Sequence, residues 1–336
     1  MRTPDNTDCH SANTNADMNF ALRTPSATVD AATLRLAPLD VPLSVECVRV
    51  SPDAIGPACG GWEGSASDPA ASLRLRIVPA AALSGTGHVE IRVVGSRMTL
   101  RGPGVRASAS VDRGLAECAI SAEYLTDVTT LRQEVLEPLM LMLLTRRDRT
   151  PLHASAFIVD GVAILLAGRT GAGKSCLARA ADVAGFQVLS DDTVFVQLEP
   201  RLTVWGWPAA AHLLAEDAPG IAGKTRWRSG KVKHVVPLRS ASHGAISCDR
   251  AVLCLLSPSP HDRPALSRLT GAVAGQRMWP LDEGFDLLPG PIARAVARLS
   301  ADGAWDLRLS ADPDEAVRLL AASSPQFGGT APVFAA

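Results

Sequence analysis

The chain has 336 residues, 33 Lys+Arg against 34 Asp+Glu, a formal net charge of −1, and 47% apolar with 20% charged residues. That balance argues against a general nucleic-acid binder, which needs a basic surface excess. The longest strongly apolar stretch, Leu136–Leu144, contains Glu137 and Pro138 and is far short of the ~20 residues that span a bilayer, which excludes an integral membrane protein built on helices. The length suggests about two domains on a prior of roughly 150 residues each. Seven scattered cysteines with no CxxC pair support neither a zinc site nor a disulfide framework and point to a reducing cytoplasm. Only four residues are Lys (Lys174, Lys224, Lys231 and Lys233), and they cluster in one part of the chain.

Residues 1–32 are polar and small, without the order of a signal peptide, and read as a flexible tail. Residues 33–120 read as a small, mostly antiparallel β domain, with strands expected at Leu43–Val50, Leu73–Val78, His88–Val94 and Met98–Leu100 between Gly, Pro and Ser punctuation. Residues 121–150 predict a connecting helix with Leu131, Val135, Leu139 and Leu143 on one face, interrupted by Pro138, which either kinks or divides it. Residues 151–325 alternate strand and helix, and 326–336 read as a second tail. Within that half, strands are expected at Val162–Ala167, Gln187–Leu189, Thr193–Leu198, Ala251–Leu256 and Trp305–Leu309. Helices are expected at Ser175–Ala184, Ala265–Gln276 and Ile292–Leu299 and after the cap Asp312-Pro313-Asp314.

Gly168-Arg169-Thr170-Gly171-Ala172-Gly173-Lys174-Ser175 fits G-x-x-x-x-G-K-[ST], and it falls between an apolar strand and a helix, where such a loop works. The glycines let backbone N–H groups close on phosphate oxygens, Lys174 brings a point charge to the β- and γ-phosphates, and the Ser175 hydroxyl can ligate Mg²⁺. Asp191-Asp192 follows the next apolar segment, and a strand ending there can return to the phosphate edge. One carboxylate could then accept a proton from a substrate hydroxyl while the other helps to hold the metal; a solvated turn or a helix cap is the plainer use of such a pair. His153, ahead of the loop strand, is by itself more readily structural than catalytic.

Residues Leu152 to Val196 resemble the kinase domain of the HPr kinase/phosphorylase family and its HPr-kinase-like serine kinases: a His before a strand, GxxxxGKS, a helix, Gly-x-x-x-Leu and Asp-Asp. Matching text continues to about Leu320, through Gly206-Trp207-Pro208, a basic loop around Lys224, and Pro237-Leu238 before an apolar strand. The resemblance implies an α/β fold of the P-loop, phosphoenolpyruvate-carboxykinase-like type and ATP- and Mg²⁺-dependent phosphorylation of a serine in a protein or peptide. It also implies that His153, Asp191 and Asp192 surround the γ-phosphate and the attacking hydroxyl, and it carries an expectation of homo-oligomers. Cys176 stands where the bifunctional enzymes have Glu, and no Gly-Arg-Asn segment is present, which argues against the reverse, dephosphorylating reaction. The β-rich region does not resemble their N-terminal domain, and the shorter kinases of modified-peptide biosynthesis, including those of lasso-peptide precursors, are the nearer likeness.

Between Asp217 and Asp249 no acidic residue occurs, while Lys224, Arg226, Arg228, Lys231, Lys233 and Arg239 all do. With Gly220, Gly223 and Gly230 this reads as a flexible basic loop closing over triphosphate or an acidic peptide, with Lys224 and Arg226 the expected contacts; a solvated loop is the plainer reading. The function expected is a cytoplasmic serine kinase with Asp191 as base and Asp192 and Ser175 at the metal, although the residues favour Asp191 over Asp192 only marginally. A nucleotide-dependent sensor without turnover and a kinase of free serine or a similar small hydroxyl compound are the alternatives.

Overall fold

Six consecutive apolar residues demand a strand covered on both faces, and every residue of Val162–Ala167 is buried. The computed structural model describes residues 31–64, 73–80, 89–207, 210–217, 224–228, 231–257, 263–278 and 289–327. In it Val162–Ala167 is an inner strand of a six-stranded sheet with spatial order Gln187–Ser190, Ser155–Val159, Val162–Ala167, Ala251–Ser257, Ala304–Arg308, Ala265–Leu269. Val162–Ala167, Ala251–Ser257 and Ala304–Arg308 are parallel. Gln187–Ser190 runs the same way, because it and Val162–Ala167 both pair antiparallel with Ser155–Val159. The ends of Gln187–Ser190 and Val162–Ala167 therefore open on one edge of the sheet.

The two faces of this sheet enter different cores. Ile164 and Leu166 join Leu177, Ala178 and Ala181 of the helix Lys174–Val183 and Ala316, Val317 and Leu320 of the helix Pro313–Ala322. Ala163 and Leu165 join Ile292, Ala295 and Leu299 of the helix Pro289–Ser300. Each fully buried Leu or Ile contributes about 1.5–3 kcal/mol relative to exposure.

The described part of the amino-terminal half forms a seven-stranded sheet, ordered Ala31–Leu36, Leu43–Val48, Leu73–Pro79, Leu115–Ile120, Val105–Ser110, Arg97–Gly102, Glu90–Val94. Alternation sends Val45, Leu75, Cys118, Ala107 and Leu100 inward. Four of its pairings are antiparallel; the two that involve Leu73–Pro79 are parallel. The first strand begins at Ala31, two residues inside the segment expected as tail, and His88 lies outside the described residues.

The expected connecting helix is built in four pieces. Ala122–Thr126 and Val128–Thr130 are α-helical, Leu131–Leu136 is π-helical, and Glu137–Thr145 is α-helical again. Pro138 sits in the first turn of the last piece, after the change of hydrogen-bond register, where no N–H is needed. Burial extends beyond the expected stripe to Leu136, Met140, Met142 and Leu144, so Glu137–Thr145 is a core helix. The same core takes in Leu152, Phe195, Val196 and Val204, which come from a four-stranded antiparallel sheet ordered Ile246–Cys248, Thr203–Gly206, Val194–Gln197, Thr150–Leu152.

Two expectations are corrected. Ala265–Gln276 is not one helix: Ala265–Leu269 is a strand paired with Ala304–Arg308, and the helix is Gly271–Met278. Pairing with the sheet edge overrides the helical pattern of a half-exposed segment. The basic segment is not simply a loop, because Thr225–Arg228 and Lys231–Pro237 form a three-stranded antiparallel sheet with Ala210–Leu214, ordered Ala210–Leu214, Lys231–Pro237, Thr225–Arg228. Its overlooked signal was the alternation Lys231-Val232-Lys233, a strand period hidden under a run of charge. Gly220, Gly223 and Gly230 lie outside the described residues. Among the described residues no helix is long and apolar enough to cross a membrane.

Candidate functional site

The glycine-rich loop joins the strand Val162–Ala167 to the amino terminus of the helix Lys174–Val183. Gly171 (φ 85°) and Gly173 (φ 93°) adopt left-handed backbone that a side chain would strain, and a Cβ on Gly173 would also press Leu309 at 3.1 Å. Gly168 is packed against Leu256 of the neighbouring strand, while Arg169, Thr170 and Gly171 are exposed. Lys174 is buried and donates to the carbonyls of Gly168 at 2.6 Å and Arg169 at 3.3 Å, and Ala172 N–H donates to Arg169 O at 2.9 Å. Ser175 is half-buried in the first helical turn. The arrangement puts a positive helix end, exposed loop amides and an ammonium group on one side of the sheet edge, a combination that attracts phosphate. A phosphate ligand seated on this loop is expected to bind about tenfold or more weakly to Lys174→Ala, from the loss of charge-assisted hydrogen bonds, as titration calorimetry would show.

Backbone pairing brings the other expected residues to the same edge. Ala156 pairs with both Leu165 and Ser190, and Ser155 with Leu166, so Asp191 and Asp192 leave their strand level with the start of the glycine-rich loop. Ser155 Oγ donates to Asp191 O, fixing the turn. Asp191 is 5% exposed, and its Oδ2 accepts the backbone N–H of His212 at 3.0 Å and meets His212 Nδ1 at 3.4 Å. Its Oδ1 is buried with no hydrogen-bond partner. Asp192 is more open, at 34% side-chain exposure, and pairs with His153 Nδ1 at 3.5 Å. Two His–Asp pairs thus stand side by side, one with a buried carboxylate and one half-buried. Lys224 is exposed at the start of the strand Thr225–Arg228, and pairing sets Arg226 opposite Lys233.

Sequence reading missed His212. It arrives from the strand Ala210–Leu214 across a long-range pairing, and a single His among Ala and Leu carries no local signal. The strand is held against the site through its neighbour: beyond Lys231–Pro237, Arg239 N–H donates to buried Asp182 at 2.9 Å, and Ser240 Oγ accepts Val188 N–H at 3.0 Å. The basic sheet is thereby tied both to the loop's helix and to the strand that carries Asp191.

Cys176, next to Ser175, has its thiol pushed up to about 12 by burial first and then by the carboxylates of Asp217 and Asp191. Asp217 also accepts its hydrogen bond. A thiol held protonated is a poor nucleophile. Mass-spectrometric timing of iodoacetamide labelling at pH 8 should find Cys176 slower than a free thiol by about tenfold or more, because the raised value leaves little thiolate.

Among the described residues no group of three or more His, Cys, Asp or Glu side chains could hold a metal ion by themselves. The donors present, a hydroxyl at Ser175 and the Asp192 carboxylate, suit Mg²⁺, which binds through one or two carboxylates together with substrate phosphates and water.

No family model matches the chain, and no curated protein matches it. Among solved structures the chain is similar to the HPr(Ser) kinase/phosphatase from Coxiella burnetii, at 12% identity and a TM-score of 0.28, over 53% of this chain and 97% of that one.

Proposed function

We propose that the protein is an ATP-dependent kinase that transfers the γ-phosphate to a serine hydroxyl of a protein or peptide. The observation that carries the reading is Asp191: a buried carboxylate with Oδ2 held by His212 and Oδ1 unpartnered, on the sheet edge shared with a glycine-rich loop and helix amino terminus. A buried acceptor oxygen without a donor is costly unless a substrate proton meets it, and a serine hydroxyl supplies one.

In this reading the loop amides, Lys174 and the helix end bind the triphosphate of ATP. Mg²⁺, held by Ser175 and Asp192 with the phosphates, supplies charge neutralisation when bound. Asp191 Oδ1 takes the proton of the serine hydroxyl as its oxygen bonds to the γ-phosphorus, and ADP leaves. His212 fixes the carboxylate so that one oxygen faces the acceptor, and His153 orients Asp192. Lys174 and Ser175 lie in the motif positions for these tasks, and the text from Leu152 to Val196 resembles the HPr-kinase-like serine kinases at the same residues. A cytoplasmic setting accords with the unpaired described cysteines, five of which are buried.

Asn at both Asp191 and Asp192 tests the reading against a nucleotide sensor. A kinase loses transfer and keeps nucleotide binding, whereas a protein with no turnover in its unsubstituted form is a sensor. Transfer to free serine in preference to peptide would instead make it a small-molecule kinase.

A further inference from the structure

The three-stranded sheet carries a pattern that the phosphate site does not use. Val235 lies opposite His212, and Lys233 opposite Leu214. Directly opposed residues share a face, so His212, Leu214, Val235, Lys233 and Lys231 belong to one side of the sheet. Ala211, Leu213 and Val236, on the other side, are buried in the core that contains Leu177 and Ala181. The lysine face is thus turned away from that core, and its end at His212 touches Asp191. Lys231 is exposed and Lys233 half-buried, and pairing sets Arg228 and Arg226 opposite them on the next strand. No acidic residue occurs from Ala218 to Cys248, and Glu216 and Asp217 follow the neighbouring strand just beyond Leu214, with Asp217 engaged by the Cys176 thiol.

Spacing identifies the occupant. At about 3.3 Å per residue, Lys233 and Lys231 stand roughly 7 and 13 Å along the strand from the position opposite His212. A triphosphate is compact and is already served by the loop amides and Lys174. Cations at every second strand residue instead match a ligand whose own charges recur every second residue, an extended peptide. A chain of net charge −1 suits a short acidic partner better than a long polyanion.

We infer that this face docks the acceptor peptide in an extended form, with carboxylates two and four residues from the serine held by Lys233 and Lys231. The inference rests on Asp191 being the site of transfer, and it deepens that reading by giving the acceptor an acidic flank.

The test uses the full chain, a non-hydrolysable ATP analogue and fluorescently labelled peptides containing Ser-x-Glu-x-Glu or Glu-x-Glu-x-Ser, each beside its Gln counterpart. Anisotropy titration should find one Glu order bound roughly tenfold tighter than its Gln form, the size of two exposed ion pairs. Lys231→Gln with Lys233→Gln should abolish that preference, Lys231→Glu with Lys233→Glu should reverse it in favour of Lys-containing peptides, and nucleotide affinity should stay within about twofold throughout. Equal binding of Glu and Gln peptides overturns the inference, as does an effect of the lysine variants on nucleotide alone, or tighter binding of a single-stranded oligonucleotide of equal charge. Acid- and lysine-dependent binding without phosphate transfer sustains the docking face and sinks the kinase reading. Transfer to Glu and Gln peptides with equal kcat/KM does the opposite.

Discussion

Asp191→Asn is expected to lower turnover by about 10²–10⁴-fold, the usual contribution of a positioned general base, while ATP-analogue affinity changes less than about twofold. Asn is nearly isosteric and its side-chain oxygen can still accept the His212 N–H that Asp191 Oδ2 accepts at 3.0 Å, so the strand end keeps its anchor. What is lost is a basic oxygen at the buried Oδ1 position, which has no other partner. Asp192→Asn should behave differently, because Asp192 is more exposed and paired with His153. Its defect should fall mainly on the Mg²⁺ concentration needed for half-maximal rate. A positioning role for His212 adds a second arm: His212→Leu should reduce kcat with little change in KM for ATP, and His212→Asn, which can present an amide donor near the Nδ1 position, should restore part of it. Steady-state kinetics with both substrates varied separates these outcomes. An Asp191→Asn protein with unreduced kcat would remove Asp191 from the chemistry.

Gly206→Ala is expected to be among the most damaging single substitutions, although it adds one methyl group. A Cβ at Gly206 would lie 2.6 Å from the Leu189 carbonyl carbon and 2.7 Å from its Cβ. The obstacle is backbone, two residues ahead of Asp191, so neither strand can yield without moving the other. Overpacking of this kind costs about 1–3 kcal/mol, which for a chain of this size lowers Tm by roughly 1–4 °C. The clash is relieved by shifting the strand end Gln187–Ser190, so kcat should also fall in the protein that remains folded. Gly275→Ala is the matched control: it sits in the helix Gly271–Met278 with nothing within 4 Å of an added Cβ, and should be neutral or stabilise by up to about 1 kcal/mol. Calorimetric scans of the two variants, with activity measured below both transitions, check the pair.

Gly206 also illustrates what the sequence makes legible. It stands in the text that resembles the HPr-kinase-like proteins, but the reason for glycine there is an approach between Gln187–Ser190 and Thr203–Gly206, which no local rule contains. The strand, glycine-rich loop and helix around Gly168–Ser175 are legible because their order is written in contiguous residues, and Val162–Ala167 is legible because full burial leaves an unbroken apolar run. Val105–Ser110 and Leu115–Ile120 give little strand signal because Ala, Ser and Cys, small enough for close packing, carry weak strand preference. Ala265–Leu269 reads as helix in sequence because a half-exposed edge strand takes its state from its partner. His212 was invisible for the same reason as the basic sheet: both depend on which strands pair, and the charge of Lys231 and Lys233 masked the alternation that would have shown a strand.

In the proposed reaction a peptide serine gives its proton to Asp191 and takes the γ-phosphate of ATP. The most direct measurement incubates the purified chain with γ-labelled ATP, Mg²⁺ and serine peptides with acidic and neutral flanks, with free serine alongside, and locates the label by mass spectrometry. Phosphoserine in peptide is the expected product, lost with Asp191→Asn although that variant still binds nucleotide. Bound nucleotide with no phosphorylated product from the unsubstituted chain, or equal product from Asp191→Asn, would contradict it.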